Sequence, residues 1–73
     1  MSAILKVRRH LGENIRLQRK AAGWSQEKLA EMADLHPVYI SQVERGKNAV
    51  SVEALWRLSR ALKTSIAALF RNV

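Results

Sequence analysis

The chain has 73 residues, 48% of them apolar and 26% charged, with no cysteine, one proline and three glycines. Thirteen Lys and Arg against six Asp and Glu leave a formal charge of +7, which attracts polyanions, nucleic acid ahead of an anionic membrane surface. One domain over residues 1–73 is expected; a walled substrate pocket, a disordered basic tail, a disulfide framework and a cysteine zinc site are excluded. No apolar run approaches the ~20 residues of a membrane span. The short run Ala3-Ile4-Leu5 is followed, not preceded, by basic residues and does not read as a signal peptide. A soluble, cytoplasmic protein is expected.

Apolar residues recur at three- and four-residue steps and no stretch alternates strictly, which predicts an all-α fold of five helices. Ile4, Val7, Leu11, Ile15, Gln18 and Ala22 share one stripe of a first helix, stopped by Gly23. Gly12 marks a frayed or broken first turn, and the amide of Gln18 needs partners or the edge of the core. Ser25 caps a second helix and Glu27 suits its dipole, although Lys28 departs from a capping box. Leu29, Met32 and Ala33 form its inward face. Pro37 ends the break that begins at Asp34, because it cannot continue a helix through His36 yet suits the first position of a new one. A third helix therefore runs over about 37–45 with Ile40 and Val43 inward, and Gly46 stops it. A polar, basic loop leads to Ser51, which caps a fourth helix with the stripe Val52, Leu55, Leu58 and Leu62. Ser65 caps a short fifth helix over about 66–71, where Ile66, Leu69 and Phe70 are apolar.

Trp56 falls one residue off the stripe of the fourth helix and is expected at the surface. With Leu69, Phe70 and Val73 it composes a candidate homodimer interface, in which the fifth helix is the main contact. No Gly-rich phosphate loop, paired carboxylates or metal-ligand spacing is present, and His10 and His36 belong to the beginnings of different helices. No enzyme, cofactor or metal site is expected.

The segment SQEKLAEMADLHPVYISQVERG, residues 25–46, resembles the helix-turn-helix of the phage repressor and Cro family. Small Ala30 suits a close helix pair, Asp34 falls at the turn and Ile40 anchors the second helix. The family usually has glycine at the turn, and Asp34 adopts a left-handed backbone at modest cost. The likeness continues through RGKNAVSVEALWRLSRALKTSIAALF and covers about residues 11–70. The short single-domain form is similar to the controller proteins of restriction–modification systems. This resemblance implies a compact five-helix, lambda-repressor-like domain, with double-stranded DNA as partner and the helix over 37–45 in the major groove. Carried over by position, Pro37, Val38, Ser41 and Gln42 face the bases, with Gln42 able to pair N6 and N7 of adenine. Gln26, Tyr39, Arg45, Lys47, Asn48 and Arg16 are the expected phosphate contacts. Lys6, Arg8, Arg9 and His10 add a flanking grip or are a solvated turn. Arg19 and Glu44 are expected to form a structural ion pair, and Trp24 to pack. A homodimer on a pseudo-palindromic operator follows from the small footprint of one copy. The alternative is an antitoxin-like protein-interaction module on the same scaffold.

Overall fold

Each helix starts where a side chain can take up a backbone N–H that has no intrahelical acceptor. The computed structural model describes residues 2–73 and contains α1 (Ala3–Ala21), α2 (Gln26–Ala33), α3 (Pro37–Glu44), α4 (Val52–Ala61) and α5 (Ile66–Leu69). The hydroxyl of Ser2 accepts from Leu5 N–H at 3.2 Å, and those of Ser25, Ser51 and Ser65 accept from Lys28, Ala54 and Ala68 at 3.0 Å each. His36 opens α3 instead through Nδ1, which accepts from Val38 N–H at 3.1 Å while Pro37 takes the first helical position. Periodicity left the start of α1 open; the Ser2 cap supplies it. The last helix is shorter than expected and ends at Leu69 after a single turn. Among the described residues all regular structure is helical, and no helix is long and apolar enough to cross a membrane.

One apolar core joins Leu11 and Ile15 of α1, Leu29, Ala30 and Ala33 of α2, Ile40 and Val43 of α3, Leu55, Leu58 and Ala61 of α4, and Leu69 of α5. The predicted stripes depart from it at their ends. Ile4 and Ala22 are exposed at the two extremities of α1. Met32 is 50% exposed, and Ala30 takes the inward place expected for it. Val52 is 78% exposed in the first turn of α4, where Ala54 and Leu55 turn inward.

Gly12 departs in a different way. Helix α1 runs unbroken through this residue, which is buried. A Cβ at this position would run into the carbonyl oxygen of Val43 and lie 2.8 Å from the carbonyl oxygen of Glu44. The missing side chain thus lets α1 lie directly against the last turn of α3; close approach explains the glycine, not a break in the helix.

The turn between α2 and α3 is braced from a third element. Asp34 adopts the left-handed conformation with φ 56° and ψ 49°, and Leu35 N–H returns to the Ala30 carbonyl at 2.9 Å. From α4, Arg57 Nη1 donates to the Asp34 carbonyl at 3.2 Å and to Asp34 Oδ2 at 3.0 Å, while Nη2 reaches Glu53 Oε1 at 3.3 Å. The hydrogen bond to Asp34, followed by that to Glu53, raises the Arg57 guanidinium above its ordinary value. At the other end, Asn14 Nδ2 donates to the carbonyls of Leu69 and Arg71, both at 2.9 Å, tying α1 to the end of α5 and the chain just after it.

Candidate nucleic-acid interface

Helix α3 divides cleanly into two faces. Ile40, Val43 and Glu44 are buried, whereas Val38 is 56% exposed and Pro37, Ser41 and Gln42 are half-buried. The polar flank expected to meet bases is therefore open on the surface rather than covered by neighbouring segments. The hydrophobic contacts of Ile40 and Val43 hold the helix by its inner side, leaving Val38 exposed and Pro37, Ser41 and Gln42 partly exposed on its outer side.

A buried ion pair locks the end of this helix to α1. Arg19 Nε donates to Glu44 Oε2 at 2.7 Å and Arg19 Nη2 to Glu44 Oε1 at 3.0 Å, a two-pronged arrangement that suits a planar guanidinium. The remaining donor Nη1 reaches the Trp24 carbonyl at 2.8 Å. Gln26, at the first position of α2, donates from Nε2 to Glu44 Oε1 at 3.0 Å. The hydrogen bond to Glu44 raises the Arg19 guanidinium above its ordinary value against the opposing effect of burial. This network ties α1, α2 and α3 together directly behind the open flank. No buried side-chain nitrogen or oxygen among the described residues lacks a hydrogen-bond partner, so the polar cluster is fully matched.

The remaining expected residues fall into four groups. Arg45 and Lys47 are exposed just beyond α3, with Arg45 Nε near the Ser41 carbonyl at 3.4 Å. Tyr39 and Trp24 are half-buried and pack against the core. Arg16 forms an ion pair with Glu13 at 3.3 Å on the surface of α1, so its charge is partly matched within the chain. Gln26 and Asn48 were expected at phosphates, and each also bonds within the chain: Gln26 to Glu44, and Asn48 Nδ2 to Gln42 Oε1 at 2.6 Å. Gly46 turns the chain out of α3 with φ 72°, and a Cβ there would meet Arg9 Cγ at 2.8 Å, so the basic loop is seated on α1.

At the candidate dimer surface, Leu69 is fully buried in the core and has no area left to offer a second copy. Its position on the inner side of a one-turn helix explains this: the hydrophobic residue covers α1 and α4. Phe70 is half-buried against the core, while Val73 and Trp56 are exposed, Trp56 by 57%. The Arg60 guanidinium lies 5.9 Å from the centre of the Trp56 ring, within cation–π range. Among the described residues no group of three or more His, Cys, Asp and Glu side chains is placed to hold a metal ion.

Sequence reasoning did not single out Asn14 or Arg57, or the intrachain roles of Gln26 and Asn48. A signal existed for Asn14, since asparagine in a helix interior competes with the backbone and usually has a partner of its own. Arg57 carries no such mark, because its partner Asp34 lies on another element.

Comparison with known proteins agrees with this geometry. The helix-turn-helix model HTH_3 matches residues 15–69. The chain is 40% identical over 62 residues to the control protein C.SmaI of Serratia marcescens, covering 85% of this chain and 74% of that protein. The crystal structure of the restriction-modification controller protein C.AhdI from Aeromonas hydrophila is similar with a TM-score of 0.83 and 37% identity, over 85% of this chain and 94% of that one. The P22 c2 repressor, solved in complex with a synthetic operator, is similar with a TM-score of 0.79 and 36% identity, over 86% of this chain and 96% of that one. With its braced α2–α3 turn and open α3 flank, the chain belongs to the HTH_3 helix-turn-helix family, whose members are DNA-binding transcription regulators and not enzymes.

Proposed function

We propose that this chain acts in the cytoplasm as a homodimeric transcription regulator that reads a pseudo-palindromic operator with α3 in the major groove. The carrying observation is the open flank of α3, locked from behind by the Arg19–Glu44 pair and followed by the exposed cations Arg45 and Lys47. An α-helix fits the major groove, where each base pair presents a distinct pattern of donors and acceptors. Val38 offers an apolar contact suited to a thymine methyl, Ser41 a hydroxyl, and Gln42 an amide. Pro37 packs without donating. Arg45 and Lys47 meet phosphates of the same half-site, with Tyr39, Gln26, Asn48 and Arg16 as further backbone contacts. The similarity to a controller protein and to an operator-bound repressor supports this reading.

Phe70 and Val73, with Trp56 as a further candidate, are the proposed contact residues between two copies once Leu69 is assigned to the core. The exposure of Trp56 beside the half-exposed Met32 favours a second reading, in which this side of the molecule docks another protein.

Titrating a pool-selected duplex and a random duplex at several salt concentrations tests the proposal. Neutralised phosphates release counterions, so log affinity is expected to fall linearly and steeply with log salt. Gln42→Ala is expected to narrow the gap between selected and random DNA by ~1–3 kcal/mol. A flat salt dependence with no preference between the duplexes would overturn the proposal and favour the protein-docking reading.

A further inference from the structure

We propose that His36 is a positioning residue for base recognition that works only as a neutral imidazole: its ring holds the first turn of α3, and protonation releases that turn. The proposal rests on the reading of α3 as the base-reading helix. Among the described residues, serine hydroxyls cap the other four helices, at Ser2, Ser25, Ser51 and Ser65. Helix α3 is capped instead by His36 Nδ1, which accepts from Val38 N–H at 3.1 Å. Imidazole is the side chain that changes charge around neutral pH, and a serine hydroxyl does not. The His36 side chain is exposed, so protons reach it directly.

Nδ1 accepts a hydrogen bond only while it carries no proton, which places the proton of the neutral ring on Nε2. An imidazolium has two donors and no acceptor, so the Val38 N–H loses its partner and faces another N–H. The new positive charge also sits at the end of α3 where the helix dipole is already positive. Both effects strike the same turn. Pro37 and Val38, the first of the residues expected to face the bases, lie between this cap and Ile40, the first buried residue of the helix. Releasing the cap therefore frays the beginning of the base-facing flank. Ile40, Val43 and the Arg19–Glu44 pair keep the rest of α3 in place.

The groups around the ring do not replace the lost bond. His36 lines an open hollow with Tyr39 of α3 itself, Asp34 of the preceding turn, and Glu53 and Arg57 of α4, while Ala49 and Ser51 of the loop before α4 bring no charge to it. Arg57 is bonded to both carboxylates, at 3.0 Å to Asp34 Oδ2 and 3.3 Å to Glu53 Oε1. Neither carboxylate is paired with His36 among the described residues. A protonated His36 thus gives up its hold on α3 without a carboxylate already placed to take the imidazolium.

The test follows the wild-type chain, His36→Ser, His36→Ala and His10→Gln between about pH 7.5 and about pH 5.5. His36→Ser keeps a cap that does not titrate, His36→Ala has none, and His10→Gln removes the other histidine. Helix content is checked by circular dichroism at each pH. In the free wild-type chain, the Val38 amide is expected to lose protection against solvent exchange on acidification, corrected for the intrinsic rate and read by NMR. In His36→Ser that protection is expected to stay constant. With a pool-selected and a random duplex, the wild-type ratio of affinities is expected to fall about fivefold towards the acidic end, the size of one helix cap. His36→Ser is expected to keep the neutral ratio throughout, His36→Ala to show the lowered ratio at both ends, and His10→Gln to follow the wild type. A wild-type Val38 amide whose protection ignores pH, or a pH dependence that persists in His36→Ser, overturns the proposal. Tighter binding of both duplexes at the acidic end with a steeper salt slope overturns it too, because the imidazolium is then a phosphate contact. A Val38 amide that responds to pH in a chain selecting no duplex at neutral pH overturns the base-reading function, and the recognition role of His36 falls with it.

Discussion

Arg19 and Glu44 show how a single pair of side chains serves a binding surface it never touches. Both are buried, and each makes more than one hydrogen bond, which offsets the desolvation that makes buried charge costly. Removing Arg19 alone leaves the buried Glu44 side chain behind α3 with the Gln26 amide but without its guanidinium partner. Arg19→Ala is expected to lower the free energy of unfolding by about 3–5 kcal/mol in a urea titration, a large share of what a domain this small possesses. The sign of the pH dependence follows from the raised guanidinium. The Arg19 contribution is complete below its unfolded-state value and is lost only as pH rises through the still higher folded one. Arg19 therefore adds no pH dependence near neutrality.

At the scale of the elements, the crossing of α1 and α3 is decided by a missing methyl group. At Gly12 an added Cβ meets carbonyl oxygens of Val43 and Glu44, backbone atoms that no rotamer change can move away. Gly12→Ala gains about 1 kcal/mol in intrinsic helix preference. Overpacking outweighs that gain, because α1 and α3 must separate along their contact. The variant is expected to be less stable by up to about 2 kcal/mol net and to bind DNA more weakly, read out by thermal melting and by duplex titration. The elements themselves were legible beforehand. Ser25, Ser51 and Ser65 announced three helix starts and Pro37 a fourth, since each cap acts on a partner within a few residues. Gly12 was read as a break because a local rule about glycine says nothing of a helix that arrives from the opposite direction.

At the scale of the molecule, the proposed homodimer must use what the core leaves outside. Leu69 belongs to the interior, while Val73 and Trp56 are exposed. Leu69→Glu is therefore expected to unfold the chain. Val73→Glu is expected to keep its helix content and to shift sedimentation from dimer to monomer. A dimer that survives Val73→Glu moves the contact to the Trp56 side, where Trp56→Glu provides the same measurement.

The sequence by itself determined the helices, their order, the outward side of α3 and the excess of positive charge. These depend on periodicity, caps and composition, which are properties of neighbours along the chain. It also carried the helix-turn-helix resemblance, and with it the pairing of Arg19 with Glu44. Only the tertiary structure decided that Gly12 is a contact, that Arg57 of α4 braces the turn at Asp34, that Leu69 is core, and that Asn48 bonds to Gln42. Each of these depends on the distance between atoms of packed elements or of a loop folded back on its helix, and such distances exist only once the chain has closed around its core.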